Sequence, residues 1–185
     1  MPNRLRADAE RNRIALLAAA REIFGEQGLD ASLDEIARRA GVGNATLYRR
    51  FPTRRDLVAE VFADQMSDYV ALAETALTEP DPWAAFVGYL TRLFTMQATD
   101  RGLAELLVTT SFDGDERIAA LRTAAQRGAT AVIERAQAAG ALRADFTRRD
   151  IGILMKANAG VVQRAADPDA WRRQLELLLG GLAAR

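Results

Sequence analysis

Apolar residues recur three or four positions apart along almost every stretch of this chain long enough to form an element, and no run of any length alternates with a period of two. Such spacing suits helices, so the expectation is an all-α protein without a sheet. It predicts about nine helices: Asp8–Gln27, Leu33–Ala40, Asn44–Phe51, Arg54–Leu77, Trp83–Thr99, Arg101–Thr110, Arg117–Ala139, Thr147–Ala166 and Pro168–Leu182. The residues between them agree with helix chemistry. Gly28, Gly41 and Gly140 each follow a helix, where a left-handed cap falls. Ser32 with Glu35, and Thr147 with Asp150, have the form of capping boxes, and Thr53 stands where the helix from Arg54 needs its N-cap. Thr78–Pro82 is a proline-containing break, and Asp167-Pro168 reads as the cap and first turn of the last helix.

The residue types that are missing narrow the chemistry. The 185 residues include no cysteine and no histidine, and Lys156 is the only lysine. Disulfides, thiolate metal sites, the commonest general base and the commonest transition-metal ligand are thereby excluded. No metal or cofactor is expected. An enzyme would have to rest on carboxylates such as Asp113, Asp115 and Glu116, which read more simply as a solvated loop and a helix N-terminus. The polar, arginine-rich start lacks the apolar core of a secretory signal, and no run approaches the roughly 18–20 apolar residues of a membrane span. A cytoplasmic protein with no membrane partner is expected. The formal net charge is zero, yet residues 1–60 carry eleven arginines against nine acids. Arg49, Arg50, Arg54 and Arg55 crowd one short stretch of it.

Two short predicted helices, Leu33–Ala40 and Asn44–Phe51, are joined by Gly41-Val42-Gly43. These are the dimensions of a helix-turn-helix. Ala37 is small where the helices cross, Gly41 permits the turn, and Ile36, Val42 and Leu47 supply the apolar seam. The second helix then carries Asn44, Ala45, Thr46, Tyr48, Arg49 and Arg50, an odd set for a buried helix. Amides, hydroxyls, guanidinium groups and a methyl are what read base edges and hold phosphates in a major groove. The plainer reading of the same residues is that Tyr48 packs the helix junction and that Ser32 and Thr53 are caps alone. Arg38 and Arg39 read as a solvated face.

The run Phe24-Gly25-Glu26-Gln27-Gly28, then Ser32-Leu33-Asp34-Glu35-Ile36-Ala37-Arg38-Arg39-Ala40-Gly41-Val42, then Thr46-Leu47-Tyr48-Arg49-Arg50-Phe51-Pro52-Thr53-Arg54, resembles the N-terminal domain of the TetR (AcrR) family of bacterial transcriptional regulators. The resemblance covers about residues 10–62, and the ordered combination carries it. It implies a three-helix DNA-binding domain over residues 8–53, followed by a helical regulatory and dimerisation domain over 54–185, with the helix from Arg54 linking the two. It implies DNA contacts from Asn44, Ala45 and Thr46 at the start of the recognition helix, a phosphate contact from Tyr48, and a basic phosphate clamp at Arg54. Thr53 and Ser32 are implied as helix N-termini facing phosphate. The family usually has histidine at the position of Arg50; arginine there adds permanent charge and reach. Which of Arg49 and Arg50 reads a base stays open.

The resemblance further implies a homodimer on a near-palindromic double-stranded operator, built on the last two helices. The residues implied there are Ala159, Gly160, Trp171, Leu175, Leu178 and Leu182, a stripe that reads equally as intrachain core. It implies a pocket for a small, partly apolar effector, with Phe86, Tyr89, Phe94, Met96, Phe112 and Met155 as candidate lining and Gln97 and Asn158 as polar anchors. The expected function is a repressor released by that effector. An activator, or a chromosome-organising DNA binder without an effector, is the alternative on the same fold.

Overall fold

The computed structural model describes residues 2–109 and 115–184. Among the described residues there are ten helices and no strand: α1 Pro2–Gln27, α2 Leu33–Arg39, α3 Asn44–Arg50, α4 Arg54–Val61, α5 Ala63–Leu77, α6 Pro82–Thr99, α7 Arg101–Val108, α8 Glu116–Ala138, α9 Arg148–Arg164 and α10 Ala170–Leu182. One isolated bridge, Leu142 to Ala183, ties the α8–α9 loop to the segment after α10.

The helix ends are set by short polar side chains that satisfy orphan amides. Ser32 Oγ accepts from the Glu35 amide at 3.4 Å. Glu35 does not complete the expected box; its carboxylate instead accepts from Gln27 Nε2. At α4 the box is complete: Thr53 Oγ1 accepts from the Asp56 amide at 3.2 Å, while Asp56 Oδ2 accepts from the Thr53 amide at 2.9 Å. Asp150 likewise accepts from the amide and hydroxyl of Thr147, each at 2.7 Å. Asp81, Asp100 and Asp115 cap α6, α7 and α8.

Most helix ends fall within two residues of the expectation, and three departures stand out. The first helix reaches back to Pro2. The last begins at Ala170, because Asp167 closes a turn on the amides of Asp169 and Ala170 instead of capping a helix at Pro168. The helix expected over Arg54–Leu77 is two helices. At Phe62 the backbone leaves helical dihedrals for one residue, φ −102° and ψ 5°. The fully buried Phe62 ring lies beside Phe24, with centroids 6.3 Å apart. Such a break lets the chain seat a large ring where helices converge, a tertiary demand that periodicity does not report.

Two apolar cores result. The first gathers Leu16, Ile23 and Phe24 of α1, Ile36 of α2, Leu47 of α3 and Leu57 of α4, and takes in Leu103 and Leu106 of α7. The second is built on Phe86, Leu90 and Phe94 of α6, Val132 and Ile133 of α8, Met155 of α9, and Trp171 and Leu175 of α10. Each large side chain fully buried in this way stabilises the fold by about 1.5–3 kcal/mol. Tyr69 and Leu107 pack against both cores and join them.

The first turn of α7 packs backbone to backbone against α1. Gly102 lies so close to α1 that an added Cβ would meet the Phe24 carbonyl oxygen at 2.8 Å and Phe62 Cζ at 2.7 Å. A carbonyl cannot rotate away as a side chain can. Gly102→Ala is therefore expected to lower stability by about 1–3 kcal/mol in urea denaturation. Gly88, inside α6 with no atom within 4 Å of a built Cβ, provides the control: Gly88→Ala should be neutral or stabilising by up to about 1 kcal/mol.

Candidate nucleic-acid interface and ligand cleft

The turn between α2 and α3 follows from Gly41, whose φ of +68° is in the left-handed region. The Val42 amide donates to the Ala37 carbonyl at 3.0 Å and the Gly41 amide to that of Arg38 at 3.2 Å, which ends α2 in a Schellman arrangement. Leu47, 1% exposed, faces the core together with Ile36 and Ala37. A fixed inward face leaves a fixed outward one. Asn44, Ala45, Tyr48, Arg49 and Arg50 are exposed and Thr46 is partly so. Tyr48 is 47% exposed, so it does not fill the helix junction.

The charges on this surface are not all alike. Arg39 pairs with Glu22 at 3.3 Å and Arg38 approaches Glu35 at 3.8 Å. Arg49 and Arg50 make no ion pair among the described residues, and Arg50 lies over the Phe51 ring, 5.9 Å from its centroid. Asn44 Nδ2 donates to Asp34 Oδ1 at 2.7 Å, which sets the start of α3 against α2. Arg54 has an internal job: its Nη1 donates to the carbonyls of Leu29 and Ala31 at 2.7 and 2.6 Å, tying α4 to the loop that carries Ser32. Ser32 and Thr53 are exposed helix caps on either side of α3.

The residues expected around a ligand separate into different places. Met155 lines a cleft of about 490 Å³ walled by α5, the end of α7, α8 and α9. Tyr89 borders a smaller groove of about 270 Å³ between α5 and α6. Phe86 is buried against Trp83 and Phe146, and lies ~12 Å along α6 from Phe94. Phe94 is buried in the second core and Met96 packs against the first. Phe112 lies outside the described residues. Gln97 and Asn158 are fully buried and face each other, with Asn158 Nδ2 donating to Gln97 Oε1 at 2.9 Å. Gln97 Nε2 and Asn158 Oδ1 have no hydrogen-bond partner among the described residues, and neither residue borders the cleft.

The cleft has polar walls that periodicity did not single out: Tyr69, Arg122, Arg148 and Lys156. Arg122 is held in place, its Nη2 donating to the carbonyls of Leu106 and Thr109 at 2.7 and 2.6 Å. Burial pushes the Tyr69 phenol up, and the charge of Arg122 acts against that shift. Met155 is the lining residue that the sequence pointed to, and the single lysine is a second feature that could have drawn attention here.

On α9 and α10, Ala159, Trp171, Leu175 and Leu182 are buried in their own chain, and Gly160 and Leu178 are partly buried. The large apolar side chains left outside are Ile153, 54% exposed, and Leu177, 64% exposed. No helix of the described residues is long and apolar enough to cross a membrane.

Both halves of the chain match known families. Residues 16–61 match the bacterial regulatory proteins of the tetR family, and residues 81–184 match the C-terminal domain of SbtR-like transcriptional regulators. A TetR regulatory protein of Mycobacterium vanbaalenii is 33% identical, with 97% of this chain and 99% of that one aligned and a TM-score of 0.58. The TetR regulator SCO0520 of Streptomyces coelicolor is 34% identical over 93% of this chain and 98% of its own, again with a TM-score of 0.58. FadR of Bacillus subtilis, in complex with stearoyl-CoA, shares the fold at 19% identity, a TM-score of 0.66, and coverage of 91% and 98%. A helix-turn-helix with its polar face outward, joined to a helical domain matched over most of its length, places the chain in the TetR family of bacterial regulatory proteins: it is a DNA-binding transcriptional regulator.

Proposed function

We propose that this regulator is a repressor that binds a near-palindromic operator as a homodimer and is released by a small-molecule effector. Residues 8–53 form the reader and 54–185 the regulatory and dimerisation part. The observation that carries the reading is the outward face of α3, where Asn44, Ala45, Tyr48, Arg49 and Arg50 are exposed and the two arginines make no ion pair among the described residues. Thr46 joins that face, and Ser32, Thr53 and the Arg54 backbone sit at the flanking helix ends, where phosphate is received. The protein regulates by binding and not by turnover, and it works in the cytoplasm with the chromosome.

One such module reads few base pairs, and two recognition helices must lie about 34–36 Å apart to enter successive major grooves. The outer faces of α9 and α10 suit that pairing. Ile153 and Leu177 are exposed there, and Gly160, Gly180 and Gly181 have no atom within 4 Å of a built Cβ, so a second backbone can come close. Trp171, Leu175 and Leu182 support this face from beneath.

Release requires the effector to bind a conformation with wrongly spaced recognition helices better than the DNA-bound one. The cleft beside Met155 suits an effector, and FadR in complex with stearoyl-CoA supports ligand binding on this fold.

Two measurements test the reading. In fluorescence anisotropy with DNA from the gene's own upstream region, binding should be selective and should weaken as salt rises. Arg49→Ala or Arg50→Ala, whichever reads a guanine, should cost about 1–3 kcal/mol. A folded dimer that binds no DNA at low salt overturns the proposal. In sedimentation at micromolar concentration, Leu177→Glu should shift the protein toward monomer with its helical content unchanged; a wild-type chain that is monomeric removes the dimer.

A further inference from the structure

The cleft walled by α5, α7, α8 and α9 has a consistent sign. Arg122, Arg148 and Lys156 border it, and no aspartate or glutamate does among its described lining residues. The chain as a whole has as many acids as bases, so the absence of acids among the described lining residues is a local arrangement and not a bias of composition. The cations differ in how they are held. Arg122 is fixed by two carbonyls at the end of α7. Arg148 and Lys156 are exposed, two turns apart on one side of α9, and make no ion pair among the described residues. The rest of the wall is largely apolar, with Leu107, Ile151 and Met155.

Charge and apolar surface side by side select an amphiphile. An inorganic anion would leave the Leu107 and Met155 side of the cleft against water, and a neutral apolar molecule would leave two cations unpaired. The volume, about 490 Å³, suits a small organic molecule and not a nucleic-acid strand or a protein segment. The surface of α9 is also divided between two tasks. Arg148, Gly152 and Lys156 follow each other at four-residue intervals along the cleft, whereas Ile153 is turned about 100° from Gly152 toward the outer face. A ligand in the cleft therefore leaves the proposed dimer surface uncovered.

We propose that the effector of this regulator is an amphipathic carboxylate, with its acid group among Arg122, Arg148 and Lys156 and its apolar body on Leu107, Ile151 and Met155. This rests on the reading of the cleft as the effector site, and it names the class of molecule that the site takes. Binding there would bear on the end of α7, whose first turn is packed against the DNA-binding core.

Because Lys156 is the only lysine, its acylation by an amine-reactive ester reports occupancy of the cleft, with the N-terminal amine as internal reference. The full-length, DNA-free protein is treated with octanoate or benzoate, with octanamide, and with inorganic phosphate, and Lys156 modification is followed by mass spectrometry. Titration calorimetry gives the affinities. The expected result is saturable protection by at least one carboxylate and none by octanamide or phosphate at the same concentration. Arg148→Gln should weaken the carboxylate by about tenfold or more, the loss of one charge-assisted contact, without lowering the unfolding midpoint. Equal protection by octanamide would make the site a neutral apolar one. Equal protection by phosphate would make it a simple anion patch. No protection by either carboxylate at any soluble concentration would also overturn the proposal. These readouts use no DNA, so failure of operator binding in the separate anisotropy assay is told apart from failure here.

Discussion

The rest of the structure depends on how the first turn of α7 is locked onto α1. Asp100 is 8% exposed, and its carboxylate is shared among the Leu103 amide at 2.8 Å, Gln65 Nε2 at 3.1 Å and Arg21 Nη2 at 3.1 Å. A buried charge is tolerable only when its lone pairs are taken up in this way. Two residues on, Gly102 brings the α7 backbone to within contact of Phe24, and Glu105 Oε2 accepts from the Leu29 amide at 2.7 Å. One turn of helix thus holds the end of α1, the loop before α2 and the start of α5.

The joint also connects the DNA-binding core to the cleft. Leu107 and Val108, at the other end of the same short helix, border the cleft, and Arg122 grips the carbonyls of Leu106 and Thr109. A helix of eight residues is about 12 Å long. A ligand that changes the pull of Arg122 at one end of α7 is therefore one rigid element away from the contacts that orient α1. Arg54 continues the connection, because its hold on the carbonyls of Leu29 and Ala31 ties α4 to the loop before α2. In the proposed release the coupling would run through contact between these packed elements, and its size would be set by the difference in effector affinity between the DNA-bound and released conformations.

Arg54 also illustrates why one residue serves two ends. A guanidinium has donors pointing in several directions in a fixed plane. From the N-terminus of α4, Nη1 satisfies two carbonyls of the loop before α2, and the guanidinium keeps its charge there. Lysine, a single ammonium on a flexible stem, does not combine a planar bridge of this kind with charge in the same manner.

Much was legible in the sequence because it rests on local chemistry. Helical periodicity, the left-handed glycines Gly28, Gly41 and Gly140, and the caps Ser32, Thr53 and Thr147 depend on residues within one turn of each other. The helix-turn-helix was legible for the same reason, since Leu47 and Tyr48 are adjacent and must point to different sides. What only the tertiary structure decided involves partners far apart in the chain. The break at Phe62 answers to Phe24 and Gly102, and the α7 joint pairs Asp100 with Arg21 and Glu105 with Leu29. The same holds for Trp171 and Leu175, whose apolar stripe suits an intrachain core and a dimer face equally until the neighbouring helices are in place. The cleft is the clearest case: Arg122 is far in sequence from Arg148 and Lys156, and the three line one cleft only because α8 and α9 bring them around the same space. Periodicity reports which side of a helix is buried, and it carries no information about what another helix places opposite.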